Sequence, residues 1–136
     1  MVLNVDCIRA VLMQVEELSK VEIQDDGFVA LEPFSIDVLY ENLPSYSHED
    51  IYYSVLMLSE AEYLLMEETY AMGGVISCFI VRLTYRGHEF LGKIKDSGHW
   101  SLVRRAFPAI RDYSLSAISA IAEGITKAAL DKHFAT

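Results

Sequence analysis

Residues 64–83 read LLMEETYAMGGVISCFIVRL, and this stretch decides the fold that the sequence predicts. The part over 75–83 is rich in β-branched and aromatic residues, which favour strands. The part over 64–70 is a second strand-like run, and the glycine-containing segment 71–74 between them is typical of a hairpin turn. We therefore expect a β-hairpin in the middle of the chain.

Three helices are expected before this hairpin. Apolar residues recur at steps of three and four over 4–20 and 47–62, and a shorter helix is expected over 34–42. Asn4 and Ser47 are residue types that accept backbone N–H bonds at a helix start. Between the first two helices we expect a polar turn followed by a short strand.

The chain after the hairpin is predicted to be helical. Thr84 stands where it can cap a helix over 85–95, and a break at 96–98 precedes a short helix that ends before Pro108. A last helix is expected over 114–134. We place a first domain at residues 1–96 and treat 97–136 as a helical extension that packs on it or dimerises.

The order helix, short strand, helix, helix, hairpin, helix predicts a fold class. It is α+β: a winged helix-turn-helix with a wing sheet of two to three strands and a helical C-terminal extension. In this fold the third helix is the recognition helix and the hairpin is the wing. The extension makes a homodimer the expected assembly.

A resemblance to a known family lies just after the hairpin. The segment RLTYRGHEFL at 82–91, followed by Ile94, Asp96 and Trp100, resembles the phage- and prophage-associated family called domain of unknown function 2513. With the opening residues and the third helix, the resemblance covers about residues 1–100. It implies a winged-helix fold and a bacterial or phage setting, and it implies no established activity.

The third helix departs from the pattern of that family. The resemblance implies a His and a Lys within this helix and a Gly at its end. The matching positions here are Ser54, Leu56 and Glu62. The basic groups that would favour DNA reading are therefore missing, and the helix-ending Gly is replaced at a cost of about 1 kcal/mol of capping.

Charge separates the chain into an acidic front and a mildly basic tail. Eleven Lys and Arg against 20 Asp and Glu give a net charge of −9. Residues 1–81 hold 15 acids and two bases, a net −13, whereas 82–136 hold five acids and nine bases, a net +4. An acidic surface is repelled by phosphate backbones, so DNA binding by the third helix is disfavoured.

The predicted function is a non-enzymatic interaction protein of phage or mobile-element type. It would bind a protein partner through an acidic, Tyr-rich face, as a DNA mimic that inhibits or regulates a nucleic-acid-binding protein does. The predicted contact residues are Glu49, Asp50, Tyr53, Glu60, Glu67 and Glu68.

Two other function classes stay open. One is a transcriptional regulator that binds DNA through the wing and the C-terminal part, with Arg82, Arg86, Arg104 and Arg105. The other is an enzyme whose dispersed site leaves no motif, since the sequence contains no phosphate-binding loop and no nucleophile elbow.

Neither a cofactor nor a metal is predicted. The four His and two Cys show no ligand spacing, and Cys7 and Cys78 are expected to be core thiols. No apolar run approaches the roughly 18 residues that a membrane span needs. A cytoplasmic location, in a bacterium or a phage-infected host, is the expectation that follows.

Overall fold

The structure, a computed structural model, describes residues 2–110 and 114–134. Within these residues six helices and two small antiparallel sheets form an α+β fold, which confirms the predicted class at that level. The elements follow in the order α1 (Val5–Leu18), β1 (Val21–Ile23), β2 (Val29–Leu31), β3 (Phe34–Ser35), α2 (Ile36–Asn42), α3 (His48–Glu60), β4 (Leu64–Ala71), β5 (Gly74–Leu83), α4 (Tyr85–Ile94), α5 (Ser97–Ile110) and α6 (Leu115–Phe134). The chain divides into two compact units, Met1–His88 and Glu89–Thr136.

The first unit is built on α1 and α3, which pack on each other. Both predicted caps are confirmed: Asn4 Oδ1 accepts from the Cys7 amide at 3.2 Å, and Ser47 Oγ accepts from the Asp50 amide at 3.1 Å. The two helices bury aliphatic residues at helical spacing, each contributing about 1.5–3 kcal/mol of burial free energy. These buried residues are Ile8, Val11, Leu12, Val15, Ile51, Val55 and Leu58.

The prediction of a polar turn after α1 is wrong for its first residues. Val21–Ile23 forms β1 and pairs with β2, with Val21 opposite Leu31. The apolar residues of this hairpin are exposed, so the alternation between buried and exposed positions that marks a strand is absent. The turn is closed by the Gln24 amide, which donates to the Phe28 carbonyl at 2.8 Å.

The main sheet has the strand order β3-β5-β4. The β4–β5 hairpin is confirmed, and its turn has Met72 and Gly73 at φ values of 53° and 78°. The residues expected to open the second helix instead form β3, where Phe34 lies opposite Ile80. The helix starts only after them, because Ser35 Oγ accepts from the Asp37 amide at 3.2 Å and caps α2.

The second unit contains α5 and α6, which pack on each other. The break expected at 96–98 is shorter, because Asp96 Oδ1 accepts from the His99 amide at 2.8 Å and caps α5 directly. This helix extends to Ile110, beyond the stop expected before Pro108. The last predicted helix is confirmed, with Ser114 Oγ accepting from the Ala117 amide at 3.1 Å.

Candidate binding groove

A groove opens in the first unit between the start of α2, the first half of α3 and the first half of β5. Its volume is about 640 Å3. The lining combines two phenol rings, a phenylalanine ring, a carboxylate, a thiol, two hydroxyls and three aliphatic side chains. Five of its lining residues are Asp37, Tyr40, Tyr52, Ile76 and Cys78.

The lining residue Tyr52 belongs to a hydrogen-bonded set of two tyrosines and a glutamate. The Tyr52 hydroxyl on α3 donates to Glu68 Oε2 at 2.5 Å, and the Tyr70 hydroxyl on β4 donates to Glu68 Oε1 at 3.0 Å. Burial and the bond to Glu68 raise the pKa of Tyr52 far above its usual range. The bond to Glu68 is also the largest cause that raises the pKa of Tyr70. Both phenols therefore stay protonated donors through the neutral range.

The second lining tyrosine, Tyr40, takes part in an aromatic stack. The rings of Tyr40 and His48 are stacked, with centroids 4.1 Å apart and planes within 7°. The pKa of Tyr40 is raised first by burial and then by nearby negative groups, among them Asp37 and Glu49. The groove lining thus contains the Tyr40 ring and the Asp37 carboxylate on the same helix.

Cys78 lies at the floor of the groove and is not a prepared nucleophile. The residue is 4% exposed, which confirms the predicted core thiol. Burial, followed by the charge of Glu68, raises its pKa to about 11. Since the thiolate is the reactive form, this thiol is inert near neutral pH. Cys7 is also confirmed as a buried core thiol.

The end of α3 opposite the groove forms a structural junction. The Tyr63 amide donates to the Leu58 carbonyl at 2.8 Å and the Glu62 amide donates to the Ser59 carbonyl at 3.0 Å, which is the Schellman pattern. Glu62 takes the left-handed position of that motif, at φ 65°. This is the position at which the family resemblance implies Gly.

The family-like segment after β5 stabilises this junction through hydrogen bonds of Thr84. The Thr84 amide donates to the Tyr63 carbonyl at 3.1 Å, and its hydroxyl donates to the Glu62 carbonyl at 2.6 Å. The same hydroxyl accepts from the Gly87 amide at 3.1 Å, which caps α4. A Cβ on Gly87 would overlap the Tyr63 carbonyl. The Leu-Thr-x-x-Gly pattern at 83–87, within the family-like segment, therefore has a backbone-packing role in this chain.

The predicted partner-binding residues lie on α3 and β4 and differ in exposure. Glu49 and Glu60 are exposed at opposite ends of α3, about 16 Å apart along the helix axis. Glu67 is exposed, whereas Glu68 is half-buried on the opposite face of β4 and is bound to two tyrosines. Glu68 thus holds the groove residue Tyr52 in place.

The remaining two predicted partner-binding residues lie between these positions. Asp50 is half-buried, and its Oδ2 accepts from Asn4 Nδ2 at 3.3 Å, so its carboxylate ties α3 to the start of α1. Tyr53 is half-buried on α3 next to the groove residue Tyr52.

Two of the arginines predicted for DNA binding lie in the first unit and have intramolecular contacts. Arg82 Nη1 donates to the Leu83 carbonyl at 2.9 Å. The Arg86 guanidinium lies 5.3 Å from the centroid of the Tyr63 ring and 4.0 Å from Glu62. The other two, Arg104 and Arg105, are exposed on α5 in the second unit.

The positions at which the family resemblance implies basic residues are not equivalent. Ser54 is 1% exposed, and its hydroxyl donates to the Asp50 carbonyl at 2.7 Å. This position faces the interior and does not set the charge of the outer surface of α3. Leu56 is half-buried.

Several groove residues were not singled out by the sequence, above all Asp37 and Ile76. Tyr40 and Tyr52 do belong to the Tyr-rich part of the sequence, but only the fold and the strand register show that both line one groove. Glu68 lies opposite Cys78 in that register, and this pairing brings the carboxylate toward α3. The acidic Tyr-rich composition is the one signal that points toward this region.

The described residues contain neither a cluster suited to a metal ion nor a helix suited to span a membrane. Among residues 2–110 and 114–134, no group of three or more His, Cys, Asp or Glu is arranged to hold a metal ion. No helix in that part of the chain has the length and apolar character of a membrane span.

Comparisons with known proteins give one match. The profile of a family described as "Hypothetical protein (DUF2513)" matches residues 2–109. No curated protein and no solved structure is significantly similar to the chain.

Proposed function

Since the chain belongs to the DUF2513 family of hypothetical proteins, whose shared domain has no assigned function, we propose a function that is based on the surface of its first unit. The function is binding of a basic protein partner by a winged helix-turn-helix scaffold that does not read DNA with its third helix. The phage or mobile-element setting, the cytoplasmic location and the homodimer are parts of the same proposal.

The arrangement of the main sheet supports the winged-helix assignment. β3 lies between α1 and α2 in the chain and pairs with β5, while β4 and β5 form the hairpin that follows α3. A short strand that pairs with the second wing strand is the sheet order expected for this scaffold. In it, α3 corresponds to the recognition helix and β4–β5 to the wing.

The composition of α3 is the observation that carries the proposal. Its thirteen residues, HEDIYYSVLMLSE, include no Lys, Arg, Asn or Gln, the residue types that usually read bases and hold phosphates. The first unit has 15 acids and four bases, a net charge of −11. A groove at the start of this helix adds aromatic surface of the kind that protein interfaces favour. A basic protein surface fits these features, and a phosphate backbone does not.

A pair of charge-reversed proteins tests the proposal. One carries Glu49→Lys, Glu60→Lys and Glu67→Lys, which reverses exposed acids of α3 and β4. The matched control carries Glu17→Lys, Glu32→Lys and Glu41→Lys, which changes the net charge equally at exposed positions elsewhere. Each is used as bait in a bacterial lysate, beside the wild-type chain.

The expected result is a partner that co-purifies with the wild type and the control, that is lost from the first variant, and that elutes as the salt is raised. Equal retention by all three proteins, or no partner at all, would contradict the proposal.

A further inference from the structure

We propose that the groove between α2, α3 and β5 binds an organic cation, the ammonium or guanidinium group of a Lys or Arg side chain on the partner. This inference rests on the proposed function, because it names the part of the partner that the acidic unit recognises. It depends on the chemistry of the groove lining.

The lining provides both elements of cation recognition. Tyr40 and Tyr52 contribute phenol rings, and the faces of such rings attract ammonium and guanidinium groups. Asp37 contributes a carboxylate from the first turn of α2, one helical turn before Tyr40. None of the described residues that line the groove is a Lys, Arg or His, so no internal cation of the lining occupies the site.

The rings are held in place before any ligand arrives. Tyr40 is stacked on His48 at 4.1 Å, and Tyr52 is hydrogen-bonded to Glu68, which also accepts from Tyr70. Fixed rings lose little conformational entropy on binding. The Glu68 carboxylate behind Tyr52 adds negative potential to the ring that it orients.

An aliphatic surface next to the charged groups favours a side chain over a bare ion. Ile76 lines the groove and is 65% exposed, and Val75 beside it is 38% exposed. The methylene stem of Lys or Arg packs on such surface while the charged head reaches the rings and the carboxylate. A small inorganic cation has no group that would use this part of the groove.

Amide chemical shifts of the labelled full chain test the proposal. The probes are the blocked amides of N-acetyl-lysine and N-acetyl-arginine, their neutral analogues from norleucine and citrulline, and tetramethylammonium. We expect the two cationic amino acids to shift the amides of Ser35, Asp37 and Ile76 with a saturable dependence. The neutral analogues should bind at least about tenfold more weakly.

Substitutions outside the lining provide matched controls. Tyr52→Leu should weaken binding of the arginine probe about tenfold, while Tyr85→Leu, a change at an exposed tyrosine of the first unit outside the lining, should leave it within about twofold. Tyr52→Phe keeps the ring and removes the hydroxyl, so this variant should bind within about threefold of the wild type even if Tyr52→Leu unfolds. Asp37→Asn should weaken binding more than Glu41→Gln does.

Each other outcome overturns the inference. Equal binding of the neutral analogues would make the groove an apolar site, and binding of tetramethylammonium alone would assign it to a free quaternary amine. Absence of saturable shifts, or equal loss in Tyr52→Leu and Tyr85→Leu, would exclude a cation site at the groove. In each case the proposed function still depends on the bait experiment with the charge-reversed variants, so the two failures are distinguishable.

Discussion

The two ends of α3 differ in what the residues around them do: at one end they hold the backbone together, and at the other they line a groove. At the C-terminal end, hydrogen bonds to the backbone join α3 to α4. The residues that form them are Glu62, Tyr63, Thr84 and Gly87. At the N-terminal end, two tyrosine rings and the Asp37 carboxylate line an open groove. The most recognisable motif of the chain, the family-like segment 82–91, therefore supports the fold. The candidate groove lies where the sequence has no motif.

Gly87→Ala tests the structural end with the largest expected effect. The new Cβ would meet the Tyr63 backbone carbonyl, which cannot move without disturbing the junction. We expect a loss of at least about 3 kcal/mol in the free energy of unfolding, measured by urea denaturation. Gly92→Ala, in the same helix but with open space around its Cβ, should instead stabilise the chain by up to about 1 kcal/mol. Similar effects of both changes would show that the close approach at Gly87 is unimportant.

Alkaline pH tests the groove end. The folded-state pKa of Cys78 is about 11, raised from 9.0. The folded chain therefore holds this proton more tightly than the unfolded chain, and its contribution is fully present below pH 9 and lost as the pH rises through 11. The difference corresponds to a loss on the order of 2–3 kcal/mol in the free energy of unfolding across this range.

Urea denaturation at intervals across this pH range measures the effect. Cys78→Val, which has no thiol to titrate, should show a shallower decline than the wild type. Identical slopes for the two proteins would mean that Cys78 does not hold its proton in the groove.

Thr84→Ala tests the junction at the C-terminal end of α3. It removes the N-cap of α4 and the hydroxyl bond to the Glu62 carbonyl. We expect a loss of about 1.5–2 kcal/mol by thermal or urea denaturation, since a cap and a partly exposed hydrogen bond are lost together. Thr84→Ser keeps the hydroxyl and should lose less than about 0.5 kcal/mol. If Ser and Ala are equally destabilising, the hydroxyl is not the group that matters.

The helices and the β4–β5 hairpin could be predicted because their signals are local. Asn4, Ser47 and Thr84 each precede an apolar stripe and cap it as expected. The β4–β5 hairpin follows from its β-branched strands and its glycine-containing turn. Local chemistry of this kind needs no knowledge of the remaining chain.

The missed parts depend on contacts that the sequence does not state. β1 lies outside the core and has no alternation of burial, and β3 is a strand only because β5 passes beside it. The groove needs the register that sets Glu68 opposite Cys78 and toward Tyr52. A shift of one residue in β4 would have turned Glu67 to that face instead.

Glu62→Gly has the smallest expected effect and sharpens the family comparison. Glu62 holds a left-handed conformation that glycine adopts without strain. We expect the change to stabilise the chain by about 1 kcal/mol, because its exposed pairing with Arg86 at 4.0 Å contributes little. The measurement is the midpoint of urea unfolding, with Glu60→Gly as the destabilising control inside the helix. A destabilised Glu62→Gly protein would show that the Glu side chain supports the junction.

Fluorescence anisotropy with two probes tests the central claim most directly. The full chain is titrated against a labelled octa-arginine peptide and against a labelled random duplex of about 30 base pairs, both at about 50 mM salt. The account predicts binding of the peptide that weakens as salt is raised, with a larger loss in the Glu49, Glu60 and Glu67 variant than in its matched control. It predicts no duplex binding at about 10 µM protein. Tight duplex binding that depends on α3, with no preference for the basic peptide, would contradict it.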